Sequence, residues 1–185
     1  MALLILGLAL WTLAHLFKRI APAARARLGN LTGKTVVAAL SLAAIVLMVV
    51  GYRRAGFEPL WTPFPWAVHV NNLLMLGAVF LMGVPHSRGI VKHHLRHPML
   101  TGVVIWAVAH LLVNGDLASL ILFGGLLVWA VASMLLINRQ EGWTAPPAGT
   151  PRGDAVLFGI SVVVYAGIAA IHAAIGPNPF LSPAG

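Results

Sequence analysis

Eight histidines stand in a chain that has only four acidic residues and no cysteine. They are the side chains whose chemistry most needs an account. Two of them, His97 and His110, lie thirteen residues apart in the stretch Arg96 to Gly125, RHPMLTGVVIWAVAHLLVNGDLASLILFGG. His110 falls inside an apolar run, where an imidazole is costly unless it has a partner or a ligand. Two kinds of chemistry suit it. One is axial ligation of a haem buried between helices, since neutral imidazole readily ligates iron and an apolar bundle supplies a dry pocket. The other is helix packing, with the ring bonded to a neighbouring carbonyl or to Asn71 or Asn72. Spacing alone favours packing, because polar residues within a membrane also act as glue.

The other histidines sort by position. His15 lies one turn before Lys18 and Arg19, as a second ligand facing His110 or as an interfacial histidine. On a straight helix the separation of His97 and His110 is about 20 Å of rise and about 220° of rotation. Those two therefore do not serve one small site. His93 and His97 at i, i+4 suggest a divalent metal. Against that stand Lys92 and Arg96 beside the pair, no nearby carboxylate, and Pro98, which biases His97 out of helical conformation. A solvated basic loop touching lipid head groups is the simpler reading. Asn114, Asp116 and Ser119 read as a turn with a helix N-cap rather than a polar site. Trp11, Trp106 and Trp129 read as packing or lipid-facing residues. There is no nucleophile elbow, dinucleotide fingerprint or phosphate loop.

Composition says what must position these residues. The chain is 59% hydrophobic and 9% charged over 185 residues, and its apolar runs reach membrane-spanning length. Absent cysteine removes disulfides and thiolate ligands. The net charge of +8 suits topology and anionic lipid better than nucleic acid, because the cations sit in short loops beside apolar runs. The first run lacks a basic leader and does not read as a cleavable signal.

Six spans are expected in an all-α, polytopic helical membrane bundle forming a single domain over residues 1–185. They run from about Ala2 to Phe17, Thr35 to Tyr52, Phe64 to Val84, Pro98 to Val113, Leu117 to Ile137 and Ala155 to Ile175. A helical turn is expected through AARARL, and residues 176–185 read as a loose tail. No internal repeat is defensible. Loops one-two, three-four and five-six hold ten of the twelve Lys and Arg. The positive-inside rule then puts both termini outside. On that topology His15 and His97 lie toward the inner face, while His69 and His172 match His110 better in depth. They are the spare candidates for a second ligand.

The organising stretch resembles the signature region of the NnrU family of bacterial membrane proteins. The RHP, AHLL and NGDLAS pieces recur together, as do LAHLFKRIAP, the ARARLG linker and PLWTPFPWAVH, so the resemblance spans nearly the whole chain. It implies a multi-pass protein of the bacterial inner membrane that supports nitrite and nitric oxide respiration, partnered with a nitrite or nitric oxide reductase system. That family is in turn similar to the zeta-carotene isomerases, which hold haem b through two histidines. By that likeness the haem iron is bound through His110 and His15, with His97 a supporting residue. One departure is that a cysteine one turn before the isomerase ligand histidine is Ala107 here. Three functions follow: a haem-b protein of nitrogen-oxide metabolism, a haem-dependent cis–trans isomerase of a polyene, or a non-catalytic membrane assembly factor. Whether the chain is an enzyme stays open at this point.

Overall fold

The chain is described by a computed structural model over residues 1–176 and 178–181. Among these residues the structure is helical and contains no strand. Its elements are α1 (Ala2–Ile20), α2 (Pro22–Arg27), α3 (Asn30–Arg53), α4 (Ala67–Gly83), α5 (Val91–His94), α6 (Pro98–Val113), α7 (Leu117–Ser119), α8 (Gly125–Gln140) and α9 (Pro151–Ile175). A π turn over Leu120–Gly124 makes α7 and α8 one continuous rod. Five helices are long and apolar enough to cross a membrane, and Pro98–Val113 is a shorter sixth. At about 1.5 Å per residue that sixth helix is roughly 24 Å long.

The helix ends obey local chemistry. Pro98 and Pro151 open α6 and α9 at positions where their missing N–H costs no hydrogen bond. The Asp116 side chain caps α7, accepting from the Ser119 amide. The expected turn through the basic linker is α2. Several boundaries differ from the sequence reading. The second span begins at Asn30, ahead of Thr35, because Lys34 is carried on the helix rather than before it. The third begins at Ala67, since Phe64 and Trp66 stack on each other in the preceding loop, with centroids 5.5 Å apart. The sixth begins at Pro151, capped by Thr150, which places Asp154 in its first turn.

Helices α1 and α3 run antiparallel in close contact, as do α4 and α6. Small residues set the approach. A Cβ at Gly51 would collide with the backbone of Leu3 and Leu4, and one at Gly102 with the Ala78 carbonyl and Met82. Helix α8 lies against both α6 and α1, and α9 rests on α4. The bundle therefore has two ends. One, the Met1 end, gathers Met1, Arg53, the α6–α7 turn and Ile175. The other, the His97 end, gathers Ile20, His97, Gln140 and Pro151. The outward faces stay apolar, as in Leu42, Leu73, Val128 and Val163. Two buried hydroxyls return to their own helix: Ser133 donates to the Trp129 carbonyl at 2.7 Å and Ser161 to that of Leu157 at 2.8 Å.

The His97 end is knitted across its loops. Arg19 pairs with Glu141 at 2.6 Å, Arg96 donates to the Glu141 carbonyl at 2.6 Å, and His93 to the Pro146 carbonyl at 2.7 Å. Of the tail expected to be loose, Pro177 and residues 182–185 lie outside the described residues. The Pro179 carbonyl accepts from Asn72 at 3.0 Å, which ties the described part to α4.

Candidate functional site

His15 and His110 occupy the same local device on two antiparallel helices. Each belongs to a Trp-x-x-Ala-His-Leu run, Trp11 to Leu16 on α1 and Trp106 to Leu111 on α6. The helix puts residue i−4 one turn back, so His15 Nδ1 meets the Trp11 carbonyl at 2.9 Å and His110 Nδ1 meets the Trp106 carbonyl at 2.9 Å. A carbonyl only accepts, so Nδ1 carries the proton in both rings. Nε2 is left with its lone pair free, the arrangement that makes an imidazole a metal ligand. Both alanines of the motif are buried, Ala14 and Ala109. This recurrence is legible in the sequence as a local motif, without a whole-chain repeat around it.

Aromatic rings fix each imidazole. His15 stacks on Trp11 with centroids 3.9 Å apart and meets Trp129 edge to face at 5.2 Å. His110 stacks on Phe123 at 4.5 Å and tilts against Trp106 at 4.8 Å. The three tryptophans read from the sequence as packing or lipid-facing are thus the walls of the two histidine niches.

Each niche opens on a cavity. His110 lines one of about 690 Å³ with Asn71, Met75, Asn114 and His172. His15 lines one of about 1,050 Å³ with Trp129, Lys18, Arg19 and Met48. Tyr52, Met82, Trp106, Leu122 and His172 line both, so the cavities adjoin across a shared wall. For ligand and cofactor pockets roughly 300–1,000 Å³ is usual; the first lies within that range and the second at its upper edge. The two rings sit at different depths. Their α8-rod partners Trp129 and Phe123 are six residues apart, about 9 Å of rise. Helix α1 ends at Ile20 and does not carry on far past Lys18.

The remaining histidines divide clearly. His172 also rests Nδ1 on the carbonyl one turn back, that of Ile168, at 3.2 Å, and lines both cavities. His69 is exposed, one position off the α4 face formed by Val68, Asn71 and Met75. His97 donates Nε2 to Asn138 at 2.8 Å, which ties α6 to α8 at the His97 end and engages the nitrogen that His15 and His110 leave free. His93 and His97 do not share a helical face, because α5 stops at His94 and Leu95 is extended. Asn71 and Asn72 bond to each other at 3.2 Å rather than to His110.

Among the described residues no cluster of three or more His, Cys, Asp or Glu side chains is arranged to hold a metal ion. A haem asks for only one or two axial side chains, and each niche offers one such donor, the two rings facing separate, adjoining cavities. Polar atoms around the cavities are also left over. Asn71 Oδ1, Trp11 Nε1 and Trp129 Nε1 are buried without hydrogen-bond partners.

Taken together, these features define a polytopic helical membrane protein whose cavities are lined by histidine and tryptophan. A family model described as NnrU protein matches residues 3–179 of the 185-residue chain. The chain belongs to the NnrU family. No curated protein and no solved structure matches it.

Proposed function

We propose that this chain is a haem-b protein of the bacterial inner membrane, with His110 and His15 as axial ligands and a supporting role in nitrite and nitric oxide respiration. One observation carries the haem reading. Two imidazoles are held by the same hydrogen bond to an i−4 tryptophan carbonyl, and each keeps Nε2 free beside an apolar cavity of cofactor size. The nitrogen-oxide setting follows from the family resemblance, as does a partnership with a nitrite or nitric oxide reductase system. The charge distribution of the loops supports both termini outside.

Bound haem would supply one-electron and ligand-binding chemistry at its iron. The chain's residues orient and shield it. The Trp11 and Trp106 carbonyls fix the ring nitrogens. Trp129 and Phe123 keep water from the imidazole faces. Lys18 and Arg19, in the His15 cavity, offer cations to the carboxylates of the macrocycle. His172 lines both cavities and is the reserve for the second ligand.

The test is an absorption spectrum, oxidised and dithionite-reduced, of protein purified in mild detergent from cells with ample haem. A Soret band with sharp reduced bands of a six-coordinate b-type haem is expected, perturbed by nitric oxide, with a nitrite-reduction defect on deletion. Protein absorbance alone would sink the reading and leave a non-catalytic assembly factor in its place.

A second reading has its own observation. The His15 cavity follows the rod of the π turn and α8 from Leu122 to Ile137, roughly 22 Å at the helical rise. Such a slot suits an elongated apolar molecule, and a haem-dependent cis–trans isomerase of a polyene would use it. An unchanged isomer profile in a polyene-producing host, with haem bound, would rule that out.

A further inference from the structure

We propose that Asp116, Ser119 and Tyr52 form a proton relay from the Met1 end of the bundle to the wall shared by the two cavities. Three contacts make the chain continuous. Asp116 Oδ1 accepts from the Ser119 amide at 2.9 Å, Asp116 Oδ2 accepts from the Ser119 hydroxyl at 2.5 Å, and Tyr52 Oη lies 2.8 Å from Ser119 Oγ. Ser119 has one hydroxyl proton and gives it to Asp116. Tyr52 must therefore donate to Ser119. Tyr52 itself lines both cavities.

The helix cap accounts for only half of this. Capping needs one oxygen, and serine, threonine or asparagine would supply it. Here the second carboxylate oxygen is used as well, on a residue only 8% exposed. Ser119 differs from its fellows too. The hydroxyls of Ser41, Ser133 and Ser161 each return to the carbonyl four residues back on their own helix. Ser119 is fully buried and instead links α3 to the α7 cap. The NGDLAS stretch thus supplies two of the three groups.

The step balances in protons alone. Protonated Asp116 gives its proton to Ser119 Oγ as Ser119 passes its own to Tyr52 Oη. Tyr52 then releases its proton to a basic oxygen or nitrogen of the cavity's occupant. One O–H bond breaks and one forms at each hydroxyl, and the net change is an ionised Asp116 and a protonated acceptor. Water at the Met1 end reloads the carboxylate. The charged and titratable groups on the surrounding elements are the Met1 amino group, Arg53, Arg54, Glu58, His110 and His172.

The relay rests on the hydrogen bonds and the cavity wall, not on haem. Infrared difference spectra between low and high pH test it on purified protein. The Asp116 carboxyl band is identified by its loss in Asp116→Asn, which keeps the cap. The Tyr52 ring mode is identified by its loss in Tyr52→Phe. The expected result is that both change at one pH in the unaltered protein, that Ser119→Ala separates them, and that Ser119→Thr restores the coupling. An Asp116 that does not titrate, a Tyr52 mode indifferent to it, or coupling that survives Ser119→Ala would overturn the proposal. If the protein carries haem, its reduction equilibrium should shift with pH, by up to about tenfold per unit, and Tyr52→Phe should flatten that dependence. An unflattened dependence counts against delivery to the cavity. Absence of haem overturns the functional reading above and leaves the infrared result to decide the relay.

Discussion

The niches of His15 and His110 are built alike and surrounded differently. Each imidazole hangs on the carbonyl of a tryptophan one turn back. Beyond that hydrogen bond they diverge. His15 sits between two indoles and opens toward Lys18 and Arg19. His110 stacks on a phenylalanine and opens toward asparagines and His172. The local sequence sets the tautomer of the ring, and the neighbouring helices set the polarity of what it faces. Because α1 and α6 run in opposite directions, one motif presents its histidine nearer the His97 end and the other nearer the Met1 end. This gives a physical account of the depth difference between the two residues.

The largest expected effect separates the niches as ligands. His110→Ala should abolish the haem Soret band, His15→Ala should convert the spectrum to that of a five-coordinate iron, and His69→Ala should change neither. Retention of the full six-coordinate spectrum in His15→Ala would break the pairing and point to His172. Next comes the wall of the His15 niche. Trp129 is 8% exposed, and Trp129→Ala should cost about 3–5 kcal/mol, read as a fall in the thermal midpoint in detergent. Phe123→Ala should cost a comparable amount if the niches are equally packed. A loss confined to one would show which of the two carries the bundle.

A smaller effect tests the approach that brings α1 to its neighbours. Gly51→Val would push a side chain into the backbone of Leu3 and Leu4. Overpacking of this kind costs about 1–3 kcal/mol. It should lower the melting temperature without removing Nε2 of His110. The smallest effect lies at the surface beside the His15 cavity. The hydrogen bond and charge of Arg19 hold the Glu141 carboxyl below its ordinary range. The carboxyl therefore favours folding above the unfolded-state value and loses that contribution as the pH falls through the depressed one. Arg19→Ala should return Glu141 to the ordinary carboxylate range in a carbon-13 NMR titration, with little change in stability because the pair is exposed. A carboxyl that stays depressed would assign the effect to other cations.

Much of the bundle was readable from apolar run lengths, since each span must satisfy its own backbone. Pro98 and Asp116 marked the ends of their helices correctly because proline and N-cap chemistry is local. Asn30 and Pro151 are hidden as helix starts because polar residues in the first turn of a helix look like loop. Within the site, the histidines stood out by cost. Their partners did not, since nothing in the chain order says that Trp129 faces His15 or that Tyr52 reaches Ser119. Those contacts come from how the α8 rod lies between α1 and α6. The tail residues near Asn72 look loose in the sequence for the same reason: their contacts are distant along the chain.

The π turn at Leu120–Gly124 acts as a phase adjuster. A π turn takes in one residue more than the α-helix around it, so everything after it is rotated by about 100° relative to an uninterrupted helix. Phe123 lies within the turn and Trp129 beyond it. The rod thereby aims two aromatic residues at two histidines on two different helices. Deleting a single residue there would keep the length and hydrophobicity of the span nearly intact while misaligning one niche against the other. A change almost invisible in composition would then act like a slipped gear tooth on the whole interior.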